Sequence, residues 1–216
     1  MTQTLPNMTQ KYPLFIETVR WSDGHYHLTE LHRQRLDRTR REVFGPTGET
    51  LPPDWLPPVP DEMKDLTVKC RVKYDTSIRT VEFEPYSPKK VSSLKLVDGG
   101  GIDYHLKYND RTALSELSKM RGDADEVIII KNGLITDTSY SNLVFATENG
   151  QFLTPDRPLL RGVMLSHLTT AGKVIPTRLR PEDLRPGNRY GIRCAFMINA
   201  MIPLGSTPPI DIRNIY

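Results

Sequence analysis

The chain has 216 residues, which is enough for one large domain or two small ones with a sizeable buried core. Hydrophobic residues make up 38% and charged residues 25%, a composition typical of a globular protein in water. The net charge of +3 is spread without a basic block, so the charge pattern does not indicate a nucleic-acid partner and leaves anionic small molecules open. No run approaches the ~18 apolar residues of a membrane span, so no membrane association is expected.

Two cysteines, Cys70 and Cys194, lie far apart in apolar, strand-like surroundings. Their spacing fits neither a metal site nor a disulfide framework, so both are predicted to be buried thiols in a reducing cytoplasm. The polar start of the chain, Met1–Lys11, lacks the apolar core of a signal peptide and is predicted to be a loose tail.

The first half opens with a predicted hairpin followed by a helix. Residues Leu14–Trp21 are typical of a strand, and Asp23-Gly24 is a two-residue turn that leads to a return strand at Tyr26–Leu28. Thr29 is then predicted to be the N-cap of a helix over Glu30–Phe44, in which apolar residues recur at helical spacing.

His32 and Arg35 lie one turn apart on this predicted helix, with Leu31 and Leu36 at the edges of the same face. An arginine on an apolar face needs an anion, because burying an unpaired guanidinium is costly. The anion is either a carboxylate of the protein or a phosphate group, and the residues alone leave both alternatives open.

Six prolines between Gly45 and Pro60 predict a loop of polyproline character after the helix. Alternation of apolar and charged residues predicts strands at Thr67–Tyr74 and Ile78–Glu84, and a third strand is predicted at Leu94–Val97. A helix combined with antiparallel strands makes the first half an α+β unit.

The second half is predicted to contain short helices and strands. Arg111–Arg121 is expected to be a helix, and Asn132-Gly133 a type I′ turn between strands at Glu126–Ile130 and Leu134–Asp137. The remaining predicted elements are strands at Leu143–Ala146, Gln151–Thr154, Arg189–Ala195 and Met201–Leu204, and a helix from Arg161 to about Ala171.

Several fragments of the chain, taken in order, resemble the class IV aminotransferases, the fold type IV enzymes that use pyridoxal 5′-phosphate (PLP). The resemblance extends from about Leu14 to the end, and the order of the fragments carries it more than any one of them. The fragments are Phe15-Ile16-Glu17-Thr18-Val19-Arg20, Asp23-Gly24, His32 with Arg35-Leu36, Lys107 with Asn109-Asp110-Arg111, Asn132-Gly133 with Asp137 and Asn142, and Leu160-Arg161-Gly162-Val163-Met164.

This resemblance implies a cofactor site built from distant parts of the sequence. Lys107 falls on the catalytic lysine that forms the Schiff base with PLP. Asp137, followed by Asn142, falls on the carboxylate that keeps the pyridine nitrogen protonated, so that the ring can accept electrons. The phosphate is implied to bind Arg35 and the turn Gly162-Val163-Met164, where a helix begins.

The resemblance also implies the domain organisation and the assembly. The expected fold is α+β, with a small N-terminal α/β domain at residues 12–98 and a larger, β-barrel-like C-terminal domain at residues 105–216. Members of this family are usually homodimers with the active site near the interface, so a homodimer is expected.

Two positions depart from the pattern of the family. Most members have glutamate where Asp137 stands, and the phosphate turn usually has a hydroxyl residue after its glycine, which Val163 cannot provide. Because of these departures, a further alternative stays open: the chain is a non-enzymatic relative of the family that binds the cofactor weakly or not at all.

The ending Ile198–Leu204 and the neighbourhood of Lys107 are similar to the aminodeoxychorismate lyase branch. This implies a lyase that converts 4-amino-4-deoxychorismate to 4-aminobenzoate and pyruvate for folate synthesis. The alternative enzyme is a transaminase acting on branched-chain or D-amino acids. The lyase substrate is an anionic amine with two carboxylates, for which Arg111 and Arg161 are candidate ligands, although surface salt bridges would also account for both arginines.

Overall fold

The computed structural model of the protein describes residues 12–46 and 51–216. The predicted tail and residues 47–50 of the predicted proline-rich loop lie outside these ranges. Within them the chain is a mixed α and β protein with short helices and three sheets, which agrees with the predicted α+β class. No helix in the described ranges is long and apolar enough to cross a membrane.

The first sheet is antiparallel and has the order β2-β1-β3-β4. Its strands are β1 (Phe15–Ser22), β2 (His25–Tyr26), β3 (Val68–Tyr74) and β4 (Ile78–Pro85). Strand β3 alternates buried and half-buried residues along its whole length, so one face packs on the core and the other is available to line a site. All four strands predicted here and the hairpin that joins the first two are confirmed, although the return strand is His25–Tyr26 rather than Tyr26–Leu28.

A second sheet has three strands in the order β5-β6-β7. They are β5 (Leu94–Asp98), β6 (Glu126–Lys131) and β7 (Leu134–Ile135), and β5 pairs with β6 in parallel. The predicted strand at Leu94–Val97 exists, but its assignment to the antiparallel unit of the first half is wrong. Helix α2 (Thr112–Lys119) lies between β5 and β6 in the sequence. Parallel strands cannot be joined by a tight hairpin, so the chain needs a crossover connection of this kind.

The third sheet has five strands in the order β10-β9-β8-β11-β12. They are β8 (Asn142–Thr147), β9 (Phe152–Pro155), β10 (Ile175–Thr177), β11 (Ile192–Ile198) and β12 (Ile210–Asp211). The short strands β10 and β12 were not predicted. The strand predicted at Met201–Leu204 is wrong, because Asn199 and Ile202 exchange both backbone hydrogen bonds in a tight turn.

The other two helices are α1 (Thr29–Phe44) and α3 (Val163–Thr170), and three short 3₁₀ turns complete the elements. Thr29 is the first helical residue rather than the predicted N-cap, which is Leu28 in a left-handed conformation with φ 56°. The helix nevertheless begins within one residue of the predicted position.

Both predicted two-residue turns are present. Asp23 and Gly24 have φ of 54° and 76°, and Asn132 and Gly133 have φ of 52° and 71°. These positive values are those of a type I′ turn, which explains why the sequence has Asp-Gly and Asn-Gly there. Of the two cysteines, Cys70 is buried in β3 as predicted, whereas Cys194 in β11 is only partly buried.

The segment that carries Lys107 pairs with the start of β1. The Ile16 N–H donates to the Lys107 carbonyl at 2.9 Å, and the Asn109 N–H donates to the Leu14 carbonyl at 2.8 Å. Phe15 and Tyr108 form an antiparallel bridge between these two bonds. Lys107 is therefore fixed against the first sheet, while the following chain enters α2 and the second sheet. The division into residues 12–98 and 105–216 stays a prediction.

Candidate active site

A cleft of about 700 Å³ lies where the first sheet meets the segment around Lys107 and the start of α3. Residues of β1, β3 and α1 line it together with residues that precede and follow β8. Seven of the predicted site residues contribute to its lining: Arg35, Lys107, Arg111, Asp137, Asn142, Gly162 and Val163. The structure thus brings side chains together that are more than a hundred positions apart in the sequence.

Lys107 places its amine in this cleft. Burial of the amine, and then the positive charges of Arg35 and Arg111, lower the pKa of Lys107 from its ordinary value of 10.5 to about 7. Glu17 acts in the opposite direction without offsetting the lowering. A substantial fraction of this amine is therefore neutral near pH 7, which is the form that attacks a carbonyl or accepts a proton.

Arg35 is held by a carboxylate beneath the cleft. Its Nε donates to Glu17 Oε1 at 2.8 Å and its Nη2 to Glu17 Oε2 at 2.5 Å, a bidentate geometry. His32 Nδ1 lies 2.6 Å from the same Glu17 Oε2, and His32 and Glu17 are both fully buried. The sequence left a carboxylate and a phosphate open as the anion for Arg35, and the structure supplies the carboxylate.

This cluster still leaves one arginine nitrogen for a ligand. Glu17 occupies Nε and Nη2 of Arg35, and within the described residues Nη1 has no hydrogen-bond acceptor. Burial alone would raise the pKa of Glu17, but the charge and hydrogen bonds of Arg35, followed by those of His32, lower it to about 2. Glu17 is therefore ionised at every physiological pH and keeps the Arg35 side chain in place.

Asp137 is buried at the other side of the cleft, between two neutral donors. Asn142 Nδ2 donates to Asp137 Oδ1 at 2.8 Å, and the Leu160 N–H donates to Oδ2 at 2.9 Å. Asn142 Nδ2 also donates to the Leu160 carbonyl at 2.8 Å, which joins β8 to the turn before α3. Burial raises the pKa of Asp137 to about 7, because these donors offset only part of the desolvation of the carboxylate.

The start of α3 faces the same cleft. Gly162 and Val163 line it, and the first N–H groups of any helix have no acceptor within that helix, so they can bind an anion. A Cβ on Gly162 would collide with the Asn142 amide oxygen, so the turn requires glycine. The Met164 side chain packs in the core with Leu165 and does not line the cleft, so only its backbone could serve the predicted role.

The two candidate substrate arginines have different positions. Arg111 lines the cleft, and its Nη2 donates to the Ser139 carbonyl at 2.8 Å. Arg161 is exposed, with its Nε near Ser166 Oγ at 3.4 Å, and it is not among the described residues that line the cleft. The structure therefore brings Arg111 to the site and leaves Arg161 outside it.

Several further charged residues, among them Glu17, Arg71 and Glu126, belong to the cleft or its support without having been assigned a role from the sequence. Glu17 lies on the buried face of β1 with Phe15 and Val19, and a carboxylate at a core position was a usable indication that it pairs with a cation. Arg71 and Glu126 line the cleft directly. Neither position differs in the sequence from an ordinary charged residue in a strand, so nothing local distinguished them.

Comparison with known proteins gives the family. The model of the family described as "Amino-transferase class IV" matches residues 60–206. An uncharacterized protein of Haemophilus influenzae is 33% identical over 174 residues, which is 80% of this chain and 92% of that protein. The chain therefore belongs to the class IV amino-transferase family.

Two solved structures are similar to the whole fold. A putative 4-amino-4-deoxychorismate lyase of Haemophilus somnus 129pt has a TM-score of 0.75 and 29% identity, covering 91% of this chain and all of that one. An aminotransferase of Brucella abortus bound to PLP has a TM-score of 0.66 and 16% identity, covering 97% of this chain and 85% of that one, and it supports the fold alone. The predicted fold type IV architecture is confirmed.

Class IV aminotransferases are PLP-dependent enzymes, and the residues of this cleft fit that cofactor. The buried Asp137 carboxyl has only neutral donors and would be satisfied by a protonated ring nitrogen. Lys107 provides an amine of lowered pKa, and the start of α3 leaves no room for a side chain at Gly162. Family membership and this fit together make the chain a PLP-dependent enzyme.

Proposed function

We propose that this protein is a PLP-dependent lyase that converts 4-amino-4-deoxychorismate to 4-aminobenzoate and pyruvate. The observation that carries the proposal is that an amine of pKa about 7 and a buried carboxyl of pKa about 7 face one cleft, at Lys107 and Asp137. The similarity to the Haemophilus somnus protein supports the lyase reaction over transamination. The ending Ile198–Leu204 supports it as well, because Asn199 lies in the lining of the cleft.

Four parts of the chain would hold the cofactor in this proposal. Lys107 would bind its aldehyde carbon covalently, and Asp137 would pair with its ring nitrogen. Arg35 Nη1 and the first N–H groups of α3, at Val163 and Met164, would bind its phosphate. Asn142 would orient Asp137 through their 2.8 Å hydrogen bond.

The bound cofactor would supply an electron sink for the carbon that bears the substrate nitrogen. Lys107 Nζ, neutral in part near pH 7, would remove the proton from that carbon. Asp137, once beside a cation, would be ionised, because an adjacent positive charge lowers the pKa of a carboxyl. Arg35 stays fixed during these steps, since Glu17 holds two of its three guanidinium nitrogens.

The overall reaction balances without an added oxidant or reductant. The substrate loses the proton on the carbon that carries its amine, and the carbon–oxygen bond to the enolpyruvyl group breaks. The ring becomes aromatic 4-aminobenzoate, and the released enolpyruvate takes up a proton to become pyruvate. Lys107 lines the cleft and has a pKa of about 7, so it is suited to carry that proton.

The test combines a spectrum with a product assay. Wild-type protein with PLP should show a visible absorbance band that borohydride abolishes, and it should release pyruvate from 4-amino-4-deoxychorismate without a 2-oxo acid. Lys107→Ala should lose the band and lower the rate by roughly 10²- to 10⁴-fold or more. Lys119→Ala, which removes an exposed lysine on α2, is the matched control and should behave as wild type.

Two results would contradict the proposal. Absence of pyruvate release, together with transfer of an amino group from an amino acid to a 2-oxo acid, would assign the protein to the transaminases. A colourless protein that stays colourless with added PLP would contradict cofactor binding itself. The homodimer implied by the family is part of the proposal, and light scattering of the purified protein measures it.

A further inference from the structure

One wall of the cleft carries three cations from two parts of the fold. Lys69 and Arg71 project from the half-buried face of β3, and Arg111 stands directly before α2. All three line the cleft beside Lys107. None of them takes part in the cofactor site proposed above.

The acidic residues nearby neutralise only one of these three cations. Glu84 forms an ion pair with Lys69. Glu82 is the cross-strand neighbour of Arg71, but it is paired with Lys73 at 2.6 Å. Within the described residues neither Arg71 nor Arg111 has a carboxylate within 4.0 Å, so both guanidinium charges lack a counterion.

Arg71 also has an unsatisfied polar atom. Its Nε is buried and has no hydrogen-bond partner among the described residues. A buried donor without an acceptor lowers the stability of the folded protein, and a charged donor lowers it more. Such atoms therefore usually bind a ligand or an ordered water molecule. Arg111 donates to the Ser139 carbonyl, a neutral acceptor that orients the guanidinium without neutralising it.

These cations are close enough to act on one another. Burial, followed by the charges of Arg71 and Arg111, lowers the pKa of Lys69. The same two arginines contribute to the lowered pKa of Lys107. The wall therefore has a surplus of positive charge that one bound anion would relieve.

The geometry points to Arg71 and Arg111 as the ligands of the two carboxylates of the substrate, one arginine for each, a dicarboxylate clamp that makes this cleft selective for dicarboxylates. The inference rests on the proposed function, in which Arg35 and the start of α3 take the cofactor phosphate and leave the arginine wall for the substrate. A guanidinium presents paired N–H groups that match the two oxygens of a carboxylate. An amino acid with one carboxylate and an apolar side chain would leave one of these charges unpaired.

The first experiment measures binding of chorismate, which has both carboxylates of the substrate and a hydroxyl in place of the reacting amine. Isothermal titration of PLP-loaded protein should show binding to wild type and a roughly 10- to 100-fold weaker binding to Arg71→Leu. Arg71→Lys keeps the charge without the fork and should show a smaller loss. Arg193→Leu, the same substitution at an exposed position of β11 outside the cleft lining, is the matched control and should bind as wild type.

The second experiment separates a substrate role from a cofactor or folding role. Arg71→Leu should keep the wild-type affinity for PLP and its absorbance band, and it should raise KM for 4-amino-4-deoxychorismate more than it lowers kcat. If the Leu variant does not fold, the Lys variant should still show the KM increase. Unchanged chorismate binding, or a loss of PLP binding equal to the loss of chorismate binding, would overturn the inference.

Failure of the proposed function gives a different pattern. If wild type releases no pyruvate but its chorismate binding depends on Arg71, the dicarboxylate clamp stands and the lyase reaction falls. If wild type releases pyruvate and chorismate binding does not depend on Arg71, the lyase stands and the clamp falls.

Discussion

Glu17 and Asp137 are buried carboxyl groups on opposite sides of the cleft, and their pKa values move in opposite directions. Glu17 is fully buried, and its pKa falls to about 2. Asp137 is 5% exposed, and its pKa rises to about 7. Burial raises the pKa of both groups, so the difference lies in their partners.

Glu17 is bound by the guanidinium cation of Arg35 and by the imidazole of His32, whereas both hydrogen-bond donors to Asp137 are neutral. Arg35 and His32 surround Glu17 within 2.8 Å, whereas Asp137 accepts from an amide and a backbone N–H. The electrostatics around Glu17 are therefore complete in the protein alone. Those around Asp137 are not, and in the proposed site the protonated ring nitrogen of PLP would supply the positive charge that the donors of Asp137 lack.

The largest effect should come from removing the completed carboxylate. Glu17→Ala would leave Arg35 and His32 buried without their anion, and loss of one partner of a buried ion pair costs about 3–5 kcal/mol of unfolding free energy. Urea denaturation measures this. Glu82→Ala removes an exposed partner of Lys73 and should cost less than about 1 kcal/mol. Equal effects of the two substitutions would refute the distinction between the clusters.

A smaller effect, on catalysis rather than on folding, should come from the incomplete carboxyl. Asp137→Asn keeps the shape but removes the negative charge for the ring nitrogen, so kcat/KM for pyruvate release should fall roughly 10- to 100-fold, as expected for about 1.5–3 kcal/mol. Asp137→Glu restores an acid and should recover most of the activity. An Asn variant as active as wild type would show that Asp137 has no role in holding the ring.

The smallest expected effect is a difference in the pH dependence of stability. Glu17 has a lowered pKa, so its contribution to stability is present above pH 4.5 and is lost as the pH falls toward 2. Asp137 has a raised pKa, so its ionisation destabilises the cofactor-free protein as the pH rises from about 4 to 7. From pH 4 to pH 8, cofactor-free wild type should therefore lose about 1 kcal/mol or more relative to Asp137→Asn.

Denaturation at several pH values measures this difference, and a constant offset between wild type and variant does not affect it. The Asn side chain leaves one of the two donors of Asp137 without an acceptor, which gives such an offset at every pH. A difference between the two proteins that stays constant from pH 4 to pH 8 would contradict the raised pKa.

Local features of this fold were predictable because the residues that specify them are neighbours in the chain. The Asp23-Gly24 and Asn132-Gly133 turns need positive φ values at consecutive positions, and the sequence states this directly. The alternation in β3 was also local. The partner of β5 was not, because parallel pairing with β6 is decided by a crossover of more than twenty residues.

In the candidate site, too, the residues marked by short sequence motifs were predictable, and those whose role depends on distant contacts were not. Lys107, Asp137 and Gly162 were identified through the order of short motifs, and the structure places them in one cleft. Glu17 lies in the motif Phe15–Arg20, but no role could be predicted for it from the sequence. Its contact with Arg35 depends on the packing of α1 against β1. The role of Arg71 could not be predicted from the sequence. Arg71 lacks a counterion because Lys69 pairs with Glu84 and Lys73 pairs with Glu82, and only the structure shows these pairings.

The contact between Gly162 and Asn142 has a consequence for how this sequence can evolve. Because any side chain at position 162 would displace the amide that steadies Asp137, the two positions cannot change independently. Among natural homologues, a larger residue at 162 should occur together with a shorter one at 142. Correlated substitutions at positions 142 and 162 in an alignment would therefore indicate that the start of α3 lies close to Asp137.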